Sequence, residues 1–291
     1  MFSVNEKIIM LGDFLLNKNF RVKEKTLCLP DKVEIKIFDF EPNNSDPEKP
    51  IIVFVAGWVS LINGWKDVLS TLAPKYRILY VETREKRSAK FPNMKIIDLS
   101  IDQMSRDLDT LVSEMIPKGQ PFYFAGSSMG ATVILDYLAT KKRQSVNSFL
   151  VSPICDFPFP GWILFIIKFF PAVLYTVIKP ILKAYLSYVR LDKKNEPGQV
   201  KKYCGTIDAA EPVRLKANAY AIRNYSLWKK LSDVKSPVVV IGAKTDNLHG
   251  IDIMEKMVKL IPFSSFELMG SNKETHSAKV GEFIDLYISS D

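Results

Sequence analysis

The sequence predicts an α/β protein: a mostly parallel central sheet with flanking helices and an inserted helical cap. Three observations carry this expectation. Short, wholly apolar runs at 51–55, 78–81, 122–125, 149–151 and 238–241 read as strands buried on both faces. Amphipathic segments lie between most of them, as parallel crossovers require. One interval, from Val151 to Val238, is roughly eighty residues long, far beyond an ordinary connection between strands.

The elements follow in order. Ile8, Ile9, Leu11, Phe14 and Leu15 share a helix face, which predicts an N-terminal helix within 1–20. It reads first as a helix packed on the domain and second as a weak membrane-surface anchor. No basic segment precedes it and Asp13 interrupts it, so a signal peptide is not expected. Residues 25–40 alternate around Pro30-Asp31 with Val33, Ile35 and Ile37 on one side, the pattern of a β-hairpin. A polar, proline-rich loop over 42–50 closes it. Helices are expected at 62–74, 101–116, 129–142 and 277–288, the last preceded by a strand around 266–268. The core therefore spans 21–156 and 236–291, with the cap inserted over 157–235.

Composition narrows the class. With 291 residues, 47% of them hydrophobic, the chain can bury a sizeable core. Its formal charge of +8 favours anionic surroundings, but lysine and arginine are scattered without a nucleic-acid-binding signature. Nucleic acid is not an expected partner. Cys28, Cys155 and Cys204 are far apart and outside CxxC spacing, which argues against both a disulfide framework and a zinc site. A reducing, cytoplasmic compartment is the expectation.

The chemistry-bearing motif is Gly126-Ser127-Ser128-Met129-Gly130, a GxSxG placed directly after a predicted strand and before a predicted helix. In that setting the chain turns sharply enough to strain the central residue, and side chains two positions away would meet neighbouring backbone. Ser128 is thereby presented at the carboxyl edge of the sheet, at a helix N-terminus that favours negative charge. Ser127 competes but is not at the centre of the pattern.

On these residues the chain resembles the α/β-hydrolase superfamily, from about Val33 to Ile288 apart from the cap. The resemblance implies a serine hydrolase, esterase- or lipase-like, whose triad runs in the order serine, acid, histidine. Only His249 and His276 are available as base. The resemblance assigns the acid to Asp246, after the strand that follows the cap, and the base to His276, after the final strand. Asp156 is the substitute acid. His249, three residues past Asp246, reads instead as a loop or pocket-rim residue. The oxyanion hole is expected from the backbone N–H groups of Met129 and Trp58, the latter in Ala56-Gly57-Trp58-Val59, which looks like the His-Gly-Trp variant with alanine replacing histidine. No metal or organic cofactor is implied.

The cap sequence from Phe159 to Leu191 is apolar enough to suggest a membrane span, yet one crossing would separate Ser128 from Asp246 and His276. It is read as a cap, a re-entrant element or an interfacial helix, with Lys168, Lys179, Lys183 and Arg190 in one stripe and Pro171 and Pro180 kinking or dividing it. A lid meeting an anionic membrane and a cap packed on its own domain both fit. Arg84, Lys86, Arg87 and Lys90 are expected near the mouth of the site. The expected substrate is a small-molecule or lipid ester of an apolar acid. The alternatives are a thioesterase or acyltransferase with the same triad, and a non-catalytic binding or membrane-associated module.

Overall fold

The structure, a computed structural model, describes residues 14, 19–44, 46–93, 97–141, 143–190, 197–246 and 249–290. The N-terminal helix expected within 1–20 lies outside these residues except for Phe14, whose buried ring packs edge-on to Phe40 at 5.3 Å.

One eight-stranded sheet organises the chain, in the order β1-β2-β4-β3-β5-β6-β7-β8. The strands are β1 (Phe20–Cys28), β2 (Glu34–Pro42), β3 (Ile51–Val55), β4 (Arg77–Glu82), β5 (Phe122–Ser127), β6 (Ser148–Val151), β7 (Val238–Ala243) and β8 (Ser264–Met269). The expected hairpin forms from β1 and β2, which pair antiparallel. Its turn is set by Asp31, whose Oδ1 accepts from the Val33 N–H at 3.3 Å, and by Lys32 at φ 63°. β2 then pairs antiparallel with β4, and every later pairing is parallel.

Helices cover both faces, as the two-sided burial of β3, β5, β6 and β7 requires. On one face α1 (Lys66–Leu72) packs against α9 (Ala278–Ser290) over a core that includes Phe54, Tyr80 and Ile241. The other face carries α2 (Ile101–Met115), α3 (Met129–Thr140) and α8 (Ile251–Leu260) over Val53, Leu79 and Val240. The helix expected over 62–74 is divided, with a tight 3₁₀ turn at Ile62–Trp65 leading into α1. α8 was not among the expected helices, although Met254, Met257 and Ile261 bury at helical spacing.

Between β6 and β7 the chain carries α4 (Gly161–Phe169), α5 (Tyr175–Tyr185), α6 (Pro197–Ala209) and α7 (Pro212–Ile222). Pro171 ends α4 and opens a short turn before α5, while Pro180 is accommodated inside α5. Glu211 caps α7, its carboxylate accepting from the N–H groups of Val213 and Arg214. Among the described residues no helix is long and apolar enough to cross a membrane.

Candidate active site

Ser128 sits where β5 ends and α3 begins, at φ 47° and ψ −122°. Such a conformation costs an L-residue of order 1–3 kcal/mol, so the surroundings must enforce it. They do so by packing and by hydrogen bonds. Ten of the twelve residues of α3 are buried. The Ser128 N–H donates to the Val151 carbonyl at 2.9 Å, and its carbonyl accepts from the Thr132 N–H at 3.0 Å. The glycines of the motif face β3. A Cβ on Gly126 would lie 2.9 Å from the Val55 carbonyl oxygen, and one on Gly130 would overlap the Val55 and Ala56 carbonyls. Only glycine permits this approach, which accounts for the GxSxG spacing.

The side chain opposite the hydroxyl is that of His249. Its Nε2 is 3.0 Å from Ser128 Oγ, and its Nδ1 is 2.8 Å from Asp246 Oδ2 and 3.0 Å from Oδ1. A carboxylate can only accept, so Nδ1 carries the proton and Nε2 is left as acceptor for the serine O–H. Both Asp246 and His249 are buried. The His249 N–H also donates to Asp246 Oδ1 at 3.1 Å, and the Asp246 N–H donates to the Ala243 carbonyl at 3.1 Å. Both the backbone N–H and the ring of His249 thus meet the carboxylate of Asp246.

The expected base was His276, whereas the ring at Ser128 Oγ is that of His249. His276 lies in the 3₁₀ turn Glu274–His276 after β8, with Nδ1 3.2 Å from the Asn272 carbonyl and 3.1 Å from Thr275 Oγ1. Its ring packs on Trp65 at 4.4 Å, so it forms part of the cavity wall. Its Nδ1 faces the Asn272 carbonyl and the Thr275 hydroxyl. The sequence reading set His249 aside for being only three residues from the acid, but a turn of three residues is the spacing that lets one loop supply both groups.

Ser152 was not singled out by the sequence. Held at φ 47° by an N–H bond to the Ile241 carbonyl, it donates its hydroxyl to Asp246 Oδ2 at 2.7 Å. Burial alone would raise the Asp246 carboxyl. The adjacent His249 outweighs that, aided by the Ser152 hydroxyl and the His249 N–H, and holds the carboxyl well below the usual carboxylate range. Asp156, the substitute acid, lies outside the site, where it accepts from Trp228 Nε1 and bridges to Ser226.

The loop Ala56-Gly57-Trp58 lies against the elbow, with a Cβ on Gly57 falling 3.3 Å from Ser128 Cβ. Ser127 ties it there by accepting the Gly57 N–H on its Oγ at 3.0 Å. Trp58 follows at the rim, its ring 5.9 Å from that of Phe159. Met129 is the first residue of α3, where an N–H has no intrahelical acceptor.

A cavity of about 370 Å³ opens over Ser128 and His249. Its walls include Trp58, Ile163, Ile167, Tyr175, Ile178 and Leu182, so the insertion between β6 and β7 supplies most of an apolar lining. Three of the basic residues expected at the mouth have partners of their own, one of which, Ser60, lines the cavity. Arg84 is buried and bidentate to Asp107 at 2.5 and 2.6 Å, Lys90 pairs with Glu34 at 2.7 Å, and Lys86 donates to the Ser60 carbonyl at 2.9 Å.

No protein-family model matches the chain. No curated protein matches it in sequence either. Its fold is that of the α/β-hydrolases, as comparison with solved structures shows. An esterase from Exiguobacterium antarcticum superposes with a TM-score of 0.74 at 15% identity, covering 92% of this chain and 100% of its own. A thermophilic esterase from Thermogutta terrifontis gives 0.69 at 17% identity, over 93% and 98% of the two chains. An enol-lactonase from Burkholderia xenovorans gives 0.70 at 16%, over 91% and 97%.

Proposed function

Starting from the α/β-hydrolase fold, we propose that the protein is a serine hydrolase cleaving carboxylic esters of apolar acyl groups, with Ser128 as nucleophile, His249 as base and Asp246 as acid. The observation that carries this is the unbroken path from Ser128 Oγ through the imidazole to a buried carboxylate.

In this mechanism Ser128 Oγ attacks the ester carbonyl carbon while its proton passes to His249 Nε2. The displaced π electrons settle on the carbonyl oxygen, held by the N–H groups of Trp58 and Met129 at the positive end of α3. Asp246 stabilises the imidazolium without taking its proton. The tetrahedral species collapses, the alkoxide leaves with the proton from Nε2, and an acyl-Ser128 remains. Water then repeats the sequence and releases the acid. The insertion acts as a cap whose apolar walls exclude bulk water from the acyl chain. The unpaired cysteines, Cys28, Cys155 and Cys204, fit a reducing compartment.

The test is labelling by an active-site-directed fluorophosphonate. Wild type and His276→Ala should label, whereas Ser128→Ala and His249→Ala should not. Labelling that survives in His249→Ala and disappears in His276→Ala would transfer the base to His276. Labelling of Ser128→Ala would remove the nucleophile. Among p-nitrophenyl esters, octanoate should be preferred over acetate, and the reverse order would overturn the apolar acyl assignment.

A further inference from the structure

The first two helices of the insertion are apolar on the side that faces solvent as well as on the side that faces the cavity. On α4, Ile163, Ile166 and Ile167 line the cavity. Trp162, Phe165 and Phe169, at i, i+3 and i+7, stand 39%, 56% and 60% exposed. α5 repeats the pattern, with Tyr175, Ile178 and Leu182 inward and Val177 and Ile181 exposed at 67% and 56%. A surface helix normally turns charge toward water, and a contiguous apolar face of this kind marks an interaction site.

The basic residues nearby identify the partner. Lys168 lies 5.1 Å from the Phe169 ring centroid, and Lys179 and Lys183 project from α5. The carboxylate paired with the last two is Asp208, at 3.4 and 2.6 Å. Lys216, which donates to the Phe170 carbonyl just after α4, lines the cavity instead. The patch therefore combines exposed aromatic and aliphatic side chains with net positive charge, on a chain whose formal charge is +8. A second copy would bring like charge against like. Anionic lipid headgroups over hydrocarbon match both properties. Length fixes the mode of binding, because α4 has nine residues and α5 eleven. At about 1.5 Å per residue neither approaches a hydrocarbon core of roughly 30 Å.

We infer that α4 and α5 seat the outer face of the insertion on an anionic bilayer, lying in its interface with the cavity just behind them. Docking does not need Ser128, so it stands apart from the hydrolase reading. Co-sedimentation with vesicles of phosphatidylcholine, with and without about one third phosphatidylglycerol, tests it. Wild type and Ser128→Ala should both bind the anionic vesicles at least about tenfold better than the neutral ones, and raised salt should weaken that binding. The variant Phe165→Ser, Phe169→Ser, Val177→Ser, Ile181→Ser should lose binding. Because these four side chains do not line the cavity, its turnover of soluble p-nitrophenyl butyrate should match wild type. The proposal is overturned if wild type stays in the supernatant, if the variant binds as well as wild type, or if sedimentation velocity shows a wild-type dimer that the variant dissolves.

Discussion

Asp246 shows how one buried charge can be stabilised by three donors from two strand ends. The His249 ring, the His249 N–H and the Ser152 hydroxyl all point at it, and together they outweigh the cost of removing a carboxylate from water. Removing the Ser152 hydroxyl leaves the carboxylate short of one charge-assisted bond, an effect of about 1.5–3 kcal/mol. Ser152→Ala should therefore lower kcat/KM roughly tenfold or more while fluorophosphonate labelling persists at a slower rate. An unchanged kcat/KM would show that Ser152 plays no part in orienting the pair. The depressed carboxyl also fixes a pH dependence. A group more acidic in the folded than in the unfolded state contributes stability above its unfolded value, near 3.9, and loses it as pH falls toward the folded value. Wild-type Tm should thus decline on acidification below about pH 4–5. Asp246→Asn should show a lower Tm at neutral pH and a shallower acid decline, and parallel Tm curves would show that this carboxylate does not set the decline.

At the scale of elements, the strained elbow depends on β3 as much as on its own turn. Gly126 and Gly130 both abut the carbonyls at the end of β3, but the obstacles differ. The added methyl of Gly126→Ala would lie 2.5 Å from Ile134 Cδ1, the movable end of a side chain, and 2.9 Å from the Val55 carbonyl oxygen. In Gly130→Ala it meets backbone alone. Overpacking of this kind costs roughly 1–3 kcal/mol. Urea denaturation should show Ile134→Val recovering part of the loss in Gly126→Ala and none of it in Gly130→Ala. Equal recovery in both would mean that the backbone of β3 yields. The elbow was legible in the sequence because its glycines answer a steric demand local to one strand and one helix. Which histidine meets Ser128 was not, since histidines in two loops satisfied the same residue type. The choice between them lay in how tightly the loop after β7 turns, which neither periodicity nor motif order encodes.

Across the whole molecule, the sheet fixes Ser128, while the insertion between β6 and β7 makes the cavity. The parallel strands, their order of appearance and the long interruption were all visible as runs of apolar residues. The two faces of α4 were not separable in that sequence, because a helix apolar nearly all round carries no periodicity to say which side is inward. The cavity makes the distinction. At about 370 Å³ it falls near the small end of ligand sites, a size suited to one acyl chain, and its wall is built mostly of residues from the insertion. Ile178 lines it far along the chain from Ser128, so enlarging that side chain should obstruct a long acyl group and leave a short one untouched. Ile178→Trp is expected to lower kcat/KM for p-nitrophenyl octanoate by about tenfold or more, since each methylene denied an apolar site forfeits about 0.8 kcal/mol. The value for acetate should stay within about twofold, and fluorophosphonate labelling should remain, showing that the relay is intact. If octanoate and acetate fall together, the acyl chain does not run along α5 and the cavity serves some other part of the substrate.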